Sequence, residues 1–289
     1  MKNIIYFSDN LKILKKMAGE SVDLIYIDPP FNTKKVQKRT TLKTIRDQKG
    51  DRTGFKGASY KTIELETINY EDSFGHDEYI NDFLKPRLLE AYRILKPHGS
   101  FYFHIDYREV HYCKILLDMI FGRESFLNEI IWAYDYGGKS KNKWPAKHDN
   151  ILVYVKNPKE YTFNVEDIDR IPYMAPNLVG PEKAAKGKLP TDTWWHTIVA
   201  TGGKEKTGYP TQKPLNILER IIRASSNPGD VVLDFFAGSG TTGESCYKLK
   251  RNFILIDKSI QAMEVLSKRF SHMSNIEWRG YEPKYSKTR

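Results

Sequence analysis

Cysteine is scarce in this 289-residue chain, and its two thiols, Cys113 and Cys246, lie far apart among ordinary helix formers. That excludes a disulfide-stapled scaffold and offers neither metal-ligand nor redox spacing. No apolar run approaches the roughly 20 residues that cross a bilayer. Met1-Lys2-Asn3 passes directly into the strand-like Ile4-Ile5-Tyr6-Phe7, so no secretory leader is expected. These absences predict reduced, buried thiols and a cytoplasmic protein with no membrane contact. Hydrophobic residues make up 40%, low for a globular chain yet well above a disordered one. The length suits one large or two small domains.

Negative charge is the other shortage. The formal net charge is +10 and the pI about 9.3, which favours a polyanionic partner. Between Asn32 and Lys61 stand ten basic residues (Lys34, Lys35, Lys38, Arg39, Lys43, Arg46, Lys49, Arg52, Lys56 and Lys61) against Asp47 and Asp51. This stretch therefore holds most of the excess. With few large apolar residues and three glycines, it is expected to be a mobile loop insert, spanning about 32–73, that contacts phosphates.

Elsewhere strands and helices alternate. A strand at 4–7 precedes a short helix from Asn10 and a buried strand, Val22–Ile27. A helix over 77–95 stops at Lys96-Pro97-His98-Gly99, before a strand over 99–104. A helix at 108–121 and strands near 126–134 and 150–155 follow. Residues 157–210 are rich in proline and glycine and read as a loop-rich insert, with Trp194-Trp195-His196 left open between core packing and target recognition. Alternation resumes with helix 215–225, strand 231–235, helix 241–249, strand 253–256 and helix 259–270. The expected fold is α/β, a doubly wound Rossmann-like sheet binding ligand at its strand carboxyl ends.

Two motifs carry chemistry. Asp28-Pro29-Pro30-Phe31 follows the Val22–Ile27 strand. Its prolines lack N–H groups and fix φ, so the turn offers acceptors and few donors. Asp28 and the Pro29 carbonyl can converge on one amino group, with Phe31 free to stack on a flat substrate. About two hundred residues later, Asp234-Phe235-Phe236-Ala237-Gly238-Ser239-Gly240-Thr241-Thr242-Gly243 joins a strand to a helix. Gly238, Gly240 and Gly243 satisfy G-x-G-x-x-G, so a nicotinamide dinucleotide is a rival ligand. Asp257 can hold ribose hydroxyls in either case. A carboxylate just before the glycine turn suits an ammonium and a sulfonium better than a pyrophosphate. Too little chain also follows for the usual dinucleotide strands, which favours S-adenosylmethionine.

The first motif resembles the catalytic motif of DNA amino-methyltransferases, and Asp234 through Gly240 resembles their S-adenosylmethionine motif. Thr211-Gln212-Lys213-Pro214 resembles the segment that precedes it. With the catalytic motif first, in circularly permuted order, the chain is similar to beta-class N6-adenine DNA methyltransferases over nearly its whole length. Leu95–Ser100, His104-Ile105-Asp106 and Arg220–Asp230 also look like family landmarks; the basic insert departs from the pattern. The resemblance implies a mostly parallel sheet with one antiparallel strand and a single catalytic domain over 1–289. It also implies a target-recognition role for 157–210 and a flipped-out adenine from double-stranded DNA.

Asp28, Pro29, Pro30 and Phe31 are the expected catalytic residues, with no metal. Asp28, Asp234, Phe236, Gly238, Ser239, Gly240, Thr241 and Asp257 are the expected cofactor residues. By resemblance, Asp9, Asn10, Thr211 and Lys213 join them, although Thr211 also reads as a plain N-cap. His104 and Asp106 read best as a structural pair. Lys34, Lys35, Lys38, Arg39, Lys43 and Arg46 are the expected DNA contacts. A cognate restriction endonuclease and a homodimer are the partners the resemblance suggests. Cytosine-N4 methylation is the runner-up, since relatives acting on cytosine usually carry Ser in place of Asp28. A catalytically silent DNA-binding module is the alternative from another class.

Overall fold

The computed structural model describes residues 3–33, 35–46, 52–53, 59–72, 74–75, 77–200 and 202–283. Its strands are β1 (Asn3–Phe7), β2 (Val22–Ile27), β3 (Lys35–Arg46), β4 (Arg52–Thr53), β5 (Ser59–Asp72) and β6 (Leu95–Ile105), then β7 (Phe126–Ala133), β8 (His148–Val155), β9 (Thr193–Trp195), β10 (Val231–Asp234), β11 (Asn252–Asp257) and β12 (Ile276–Arg279). The helices are α1 (Asn10–Leu14), α2 (Lys85–Ile94), α3 (Val110–Phe121), α4 (Pro181–Lys186), α5 (Leu215–Ser225), α6 (Thr241–Lys248) and α7 (Ile260–Arg269).

Nine strands form one sheet in the order β12-β1-β11-β10-β2-β6-β8-β7-β9. Among the described residues only β8 runs against its neighbours; every other pairing in this sheet is parallel. The expected doubly wound sheet with one antiparallel strand is therefore observed. Strand alternation sends Leu24 and Tyr26 of β2 to one face, where they pack with α5, α6 and α7. Ile25 and Ile27 go to the other face and pack with α1, α2 and α3. Because both faces are covered, β2 is apolar throughout except for Asp23, whose buried carboxylate is held by Lys96, His98 and the Val231 N–H.

The sheet reverses direction of winding between β10 and β2, which pair in parallel through Val232–Leu24 and Leu233–Ile25. Asp234 ends β10 and Asp28 follows β2, so the two motifs meet at the topological switch point, where doubly wound sheets bind ligands.

Three expectations need correcting. The insert after Phe31 is not a loop: β3 and β5 form a long antiparallel ribbon, and β4 pairs with β5. Ribbon ladders satisfy their own backbone groups, and the many Thr, Ile, Val and Tyr residues favour extended chain, so little apolar burial is needed. The five basic residues of β3 also run opposite a β5 that holds Glu64, Glu66, Glu71 and Asp72. Lys35, Lys38, Arg39, Lys43 and Arg46 stand on β3, while Lys34 lies outside the described residues. Second, the helix expected over 77–95 opens with a π-helical segment, Glu78–Leu84. Third, Lys96–Gly99 is a bulge within β6, since Val22 pairs with Leu95 but Leu24 with Ser100. Between 157 and 210 the described residues form short helical turns, α4 and β9, and β9 joins the sheet edge beside β7. β12 is a further strand that the alternation did not include.

Within the glycine turn, position 240 has no room for a side chain. It sits at φ +75° as N-cap of α6, and an added Cβ would stand 2.3 Å from Leu266 Cδ2. Replacing Gly240 with Ala combines a left-handed backbone with overpacking, together about 2–5 kcal/mol. We expect the melting temperature to fall by roughly 5–10 °C in calorimetry; an unchanged transition would refute this packing role.

Candidate active site

A cleft of about 1280 Å³, open to solvent, lies over the switch point. All four residues of the Asp28–Phe31 turn line it, as do Asp9, Asn10, Thr211, Lys213, Asp234, Phe236, Gly238, Ser239, Thr241 and Asp257. Of the candidate cofactor residues only Gly240 is absent from the lining; its place is in the packing against Leu266 and Phe270.

Asp28 is divided between two duties. Lys213 Nζ donates to Oδ2 at 2.6 Å, and the same ammonium lies 4.9 Å from the Phe31 ring centre. Oδ1 is buried and receives no hydrogen bond from any described residue. A buried carboxylate oxygen without a donor is costly, so this atom is poised for an incoming N–H. The Tyr79 hydroxyl donates to the Pro30 carbonyl, which leaves the Pro29 carbonyl as the candidate second acceptor. Phe31 rests on the His104 ring, 5.9 Å between centres. His104 is itself held by the Tyr26 hydroxyl at Nδ1 (2.8 Å) and Asp149 at Nε2 (3.2 Å). His104 and Asp106 are thus not partners of each other; Asp106 pairs with Arg108.

The glycine turn is held by carboxylates. The Phe236 N–H and the Thr242 hydroxyl donate to the two oxygens of Asp234, at 3.0 and 2.6 Å. Burial pushes the Asp234 carboxyl up to about 7, and the charges of Asp28 and Asp257 push the same way against those two bonds. Asp257 receives the N–H groups of Gly238 and Ser259, each at 2.8 Å, and burial raises its carboxyl too. Gly238, at φ +47°, brings the turn against Tyr209, whose ring would lie 3.0 Å from an added Cβ.

Asp9 and Asn10 are tied into the framework. Arg87 donates to Asn10 Oδ1 (2.6 Å) and Asp9 Oδ2 (3.2 Å), while Asn10 Nδ2 donates to the Phe235 carbonyl. Thr211 is no N-cap: it stands at φ +55°, and Glu205 instead receives the Leu215 N–H at the start of α5. Gln212 pins this segment by receiving from Thr207 and donating to the Glu205 carbonyl.

Several lining residues belong to neither motif. Phe74 follows β5 at the base of the ribbon, and Phe83 and Arg87 come from the helical segments after it. Phe74 and Phe236 both pack on Phe83, 4.9 and 5.8 Å between centres, and give the cleft an apolar wall. Asn32 closes the ribbon's neck, receiving the Phe74 N–H and donating to Glu109, both at 2.9 Å. Nothing in the sequence pairs these positions; only the spacing of aromatics from Phe74 to Phe83 hints at a shared face.

A cleft lined by four aspartates, of which Asp9 is paired with Arg87 and Asp28 with Lys213, and by an aromatic wall fits a flat ligand carrying positive charge. It lies at the switch point of a doubly wound sheet in which β8 is reversed. The chain belongs to the N6/N4 DNA methylase family, whose model, described as DNA methylase, matches residues 22–268. It is 33% identical to the type II methyltransferase M.HpaI of Haemophilus parainfluenzae, over 93% of this chain and 74% of that protein. It is 32% identical to the DNA adenine methyltransferase YhdJ of Escherichia coli, over 96% and 86%. Among solved structures, the M1.HpyAVI–SAM complex superposes with a TM-score of 0.57 at 24% identity, covering 92% of this chain and 98% of that one. The cytosine-N4-specific PvuII DNA methyltransferase does so with a TM-score of 0.63 at 18% identity, covering 93% and 87%. No helix among the described residues is long and apolar enough to cross a membrane.

Proposed function

We propose that this chain is a site-specific adenine-N6 DNA methyltransferase of the beta class, acting on an adenine flipped out of double-stranded DNA. The observation that carries the reading is the split Asp28 carboxylate: Oδ2 engaged by Lys213, Oδ1 buried and left without a donor among the described residues. An exocyclic adenine amine is a poor nucleophile because its lone pair is delocalised into the ring. Asp28 Oδ1 and the Pro29 carbonyl accept hydrogen bonds from its two N–H groups and draw the nitrogen towards tetrahedral geometry. Phe31, backed by His104, stacks on the base. The work of the protein is positioning and charge matching.

The cofactor is S-adenosylmethionine, which supplies an electrophilic methyl group on a sulfonium. Asp234, Phe236, Gly238, Ser239, Thr241 and Asp257 would hold it, with Asp9, Asn10, Thr211 and Lys213 completing the cleft. Extruding the base costs a few kcal/mol, and basic residues on the β3–β5 ribbon offset this through phosphate contacts. Residues 157–210 serve target recognition within one catalytic domain. The naming of M.HpaI as a type II methyltransferase supports a cognate restriction endonuclease, and a homodimer is carried over from the beta-class resemblance alone.

Sequencing the modified bases in DNA from a host expressing the chain tests this directly. N6-methyladenine confined to one short sequence is expected. N4-methylcytosine instead would overturn the adenine reading, and unmodified DNA would favour a silent binding module.

A further inference from the structure

One exposed surface has no place in the cleft chemistry. Residues 135–147 connect β7 to β8 at the same end of the sheet as Asp28, closed at the base where the Tyr134 N–H donates to the Lys147 carbonyl at 2.9 Å. The segment holds Lys139, Lys141, Lys143 and Lys147 against one acid, Asp135. Lys139, Lys141 and Lys143 are exposed, and none pairs with a described carboxylate. Among them Trp144 is 95% and Tyr136 62% exposed, and Trp195, opposite Ala133 where the segment begins, is 78% exposed. Scattered surface aromatics are ordinary, but three at one strand end, interleaved with unpaired lysines, make a patch that calls for a partner.

We propose that this connection is a DNA-contact surface in which Lys139, Lys141 and Lys143 bind phosphates and Trp144 stacks on a base beside the extruded adenine. The proposal rests on the methyltransferase reading and adds to it a contact distinct from the basic ribbon. The chemistry favours nucleic acid: lysines at alternate positions match a line of phosphates, and a neighbouring indole matches the π-face of a base. A base taken out of the duplex leaves its neighbours without a stacking partner, which an exposed indole supplies. The placement favours it too. Tyr134, at the foot of the connection, donates to Asp149 at 3.0 Å; Asp149 bonds His104, and His104 packs on Phe31. A short chain of contacts thus links this surface to the proposed base-stacking residue.

Anisotropy titrations of a labelled duplex carrying the methylated sequence, over a salt series, test it. The K139A/K141A/K143A variant is expected to lower the slope of log affinity against log salt by about 2.7, roughly 0.9 for each phosphate released. The W144A variant is expected to bind about tenfold more weakly at every salt concentration, with the slope unchanged. Cofactor titrations should match the parent in both variants, since the residues are exposed and the bond at the foot of the connection remains. If either variant binds duplex DNA as the parent does, the proposal is overturned while the methyltransferase reading stands. A parent protein that binds and methylates no DNA overturns both.

Discussion

The D28N variant is expected to lose methyl transfer by about 10²–10³-fold, the cost of removing one preorganised polar contact from a transition state. Its affinity for S-adenosylmethionine should stay near that of the parent. The reason is orientation rather than charge alone. Lys213 lies 2.6 Å from Asp28 Oδ2 and can only donate, so the introduced amide must present its carbonyl oxygen there. Its NH2 group then takes the place of Oδ1 and points two hydrogens at a nitrogen that needs an acceptor. D28A is a less selective variant, because it leaves the mostly buried Lys213 ammonium unpaired. Single-turnover transfer of a labelled methyl group, beside calorimetric cofactor titration, checks the split. A D28N protein that methylates within tenfold of the parent would remove Asp28 from the chemistry.

What is legible in the sequence follows local rules. The β2 run and the Asp28–Phe31 turn are written in consecutive residues, as are β10 and the glycine turn. The reversal of β8 comes from resemblance, not from any periodicity in Phe126–Ala133 or His148–Val155. The ribbon escapes such reading because its stability lies in backbone pairing between Lys35–Arg46 and Ser59–Asp72, which a count of apolar residues does not register. Charge counted only as far as Lys61 also misses the acids in the sequence of β5, the strand that pairs with β3.

The site shows the same division. Motif residues arrive in the cleft, but the groups that position them come from distant segments: Lys213 on Asp28, Arg87 on Asp9 and Asn10, Tyr79 on Pro30. Lys213 belongs to the expected cofactor set and is found bonded to Asp28, a residue of the expected catalytic turn. Thr211 lines the cleft but does not cap α5: the cap function falls to Glu205, and the positive φ of Thr211 shapes the segment before the helix. Side-chain contacts between segments so far apart in the chain leave no trace in local pattern.

The second large effect is a pH dependence of cofactor binding set by Asp234. Burial raises its carboxyl from the ordinary 3.8 to about 7, with Asp28 and Asp257 adding to the rise. Between those two values the folded, cofactor-free protein holds a proton that the unfolded chain has released. The contribution of this group to stability is therefore complete below about 4 and is lost as pH rises through about 7. A cationic ligand reverses the preference, since Asp234 serves an ammonium or sulfonium only when ionised. Affinity for S-adenosylmethionine should thus fall about tenfold for each pH unit below 7 and level off above it. Calorimetry in buffers of different ionisation heat should find roughly one proton released near pH 6 and almost none near pH 8.5. D234N keeps the shape of the side chain but cannot ionise, so its affinity should lie about 10–100-fold below the parent at alkaline pH and vary little with pH. Parent affinity that stays level from pH 5.5 to 8.5, on the order of the range where a carboxyl near 7 titrates, would show that Asp234 does not meet the charge of the cofactor.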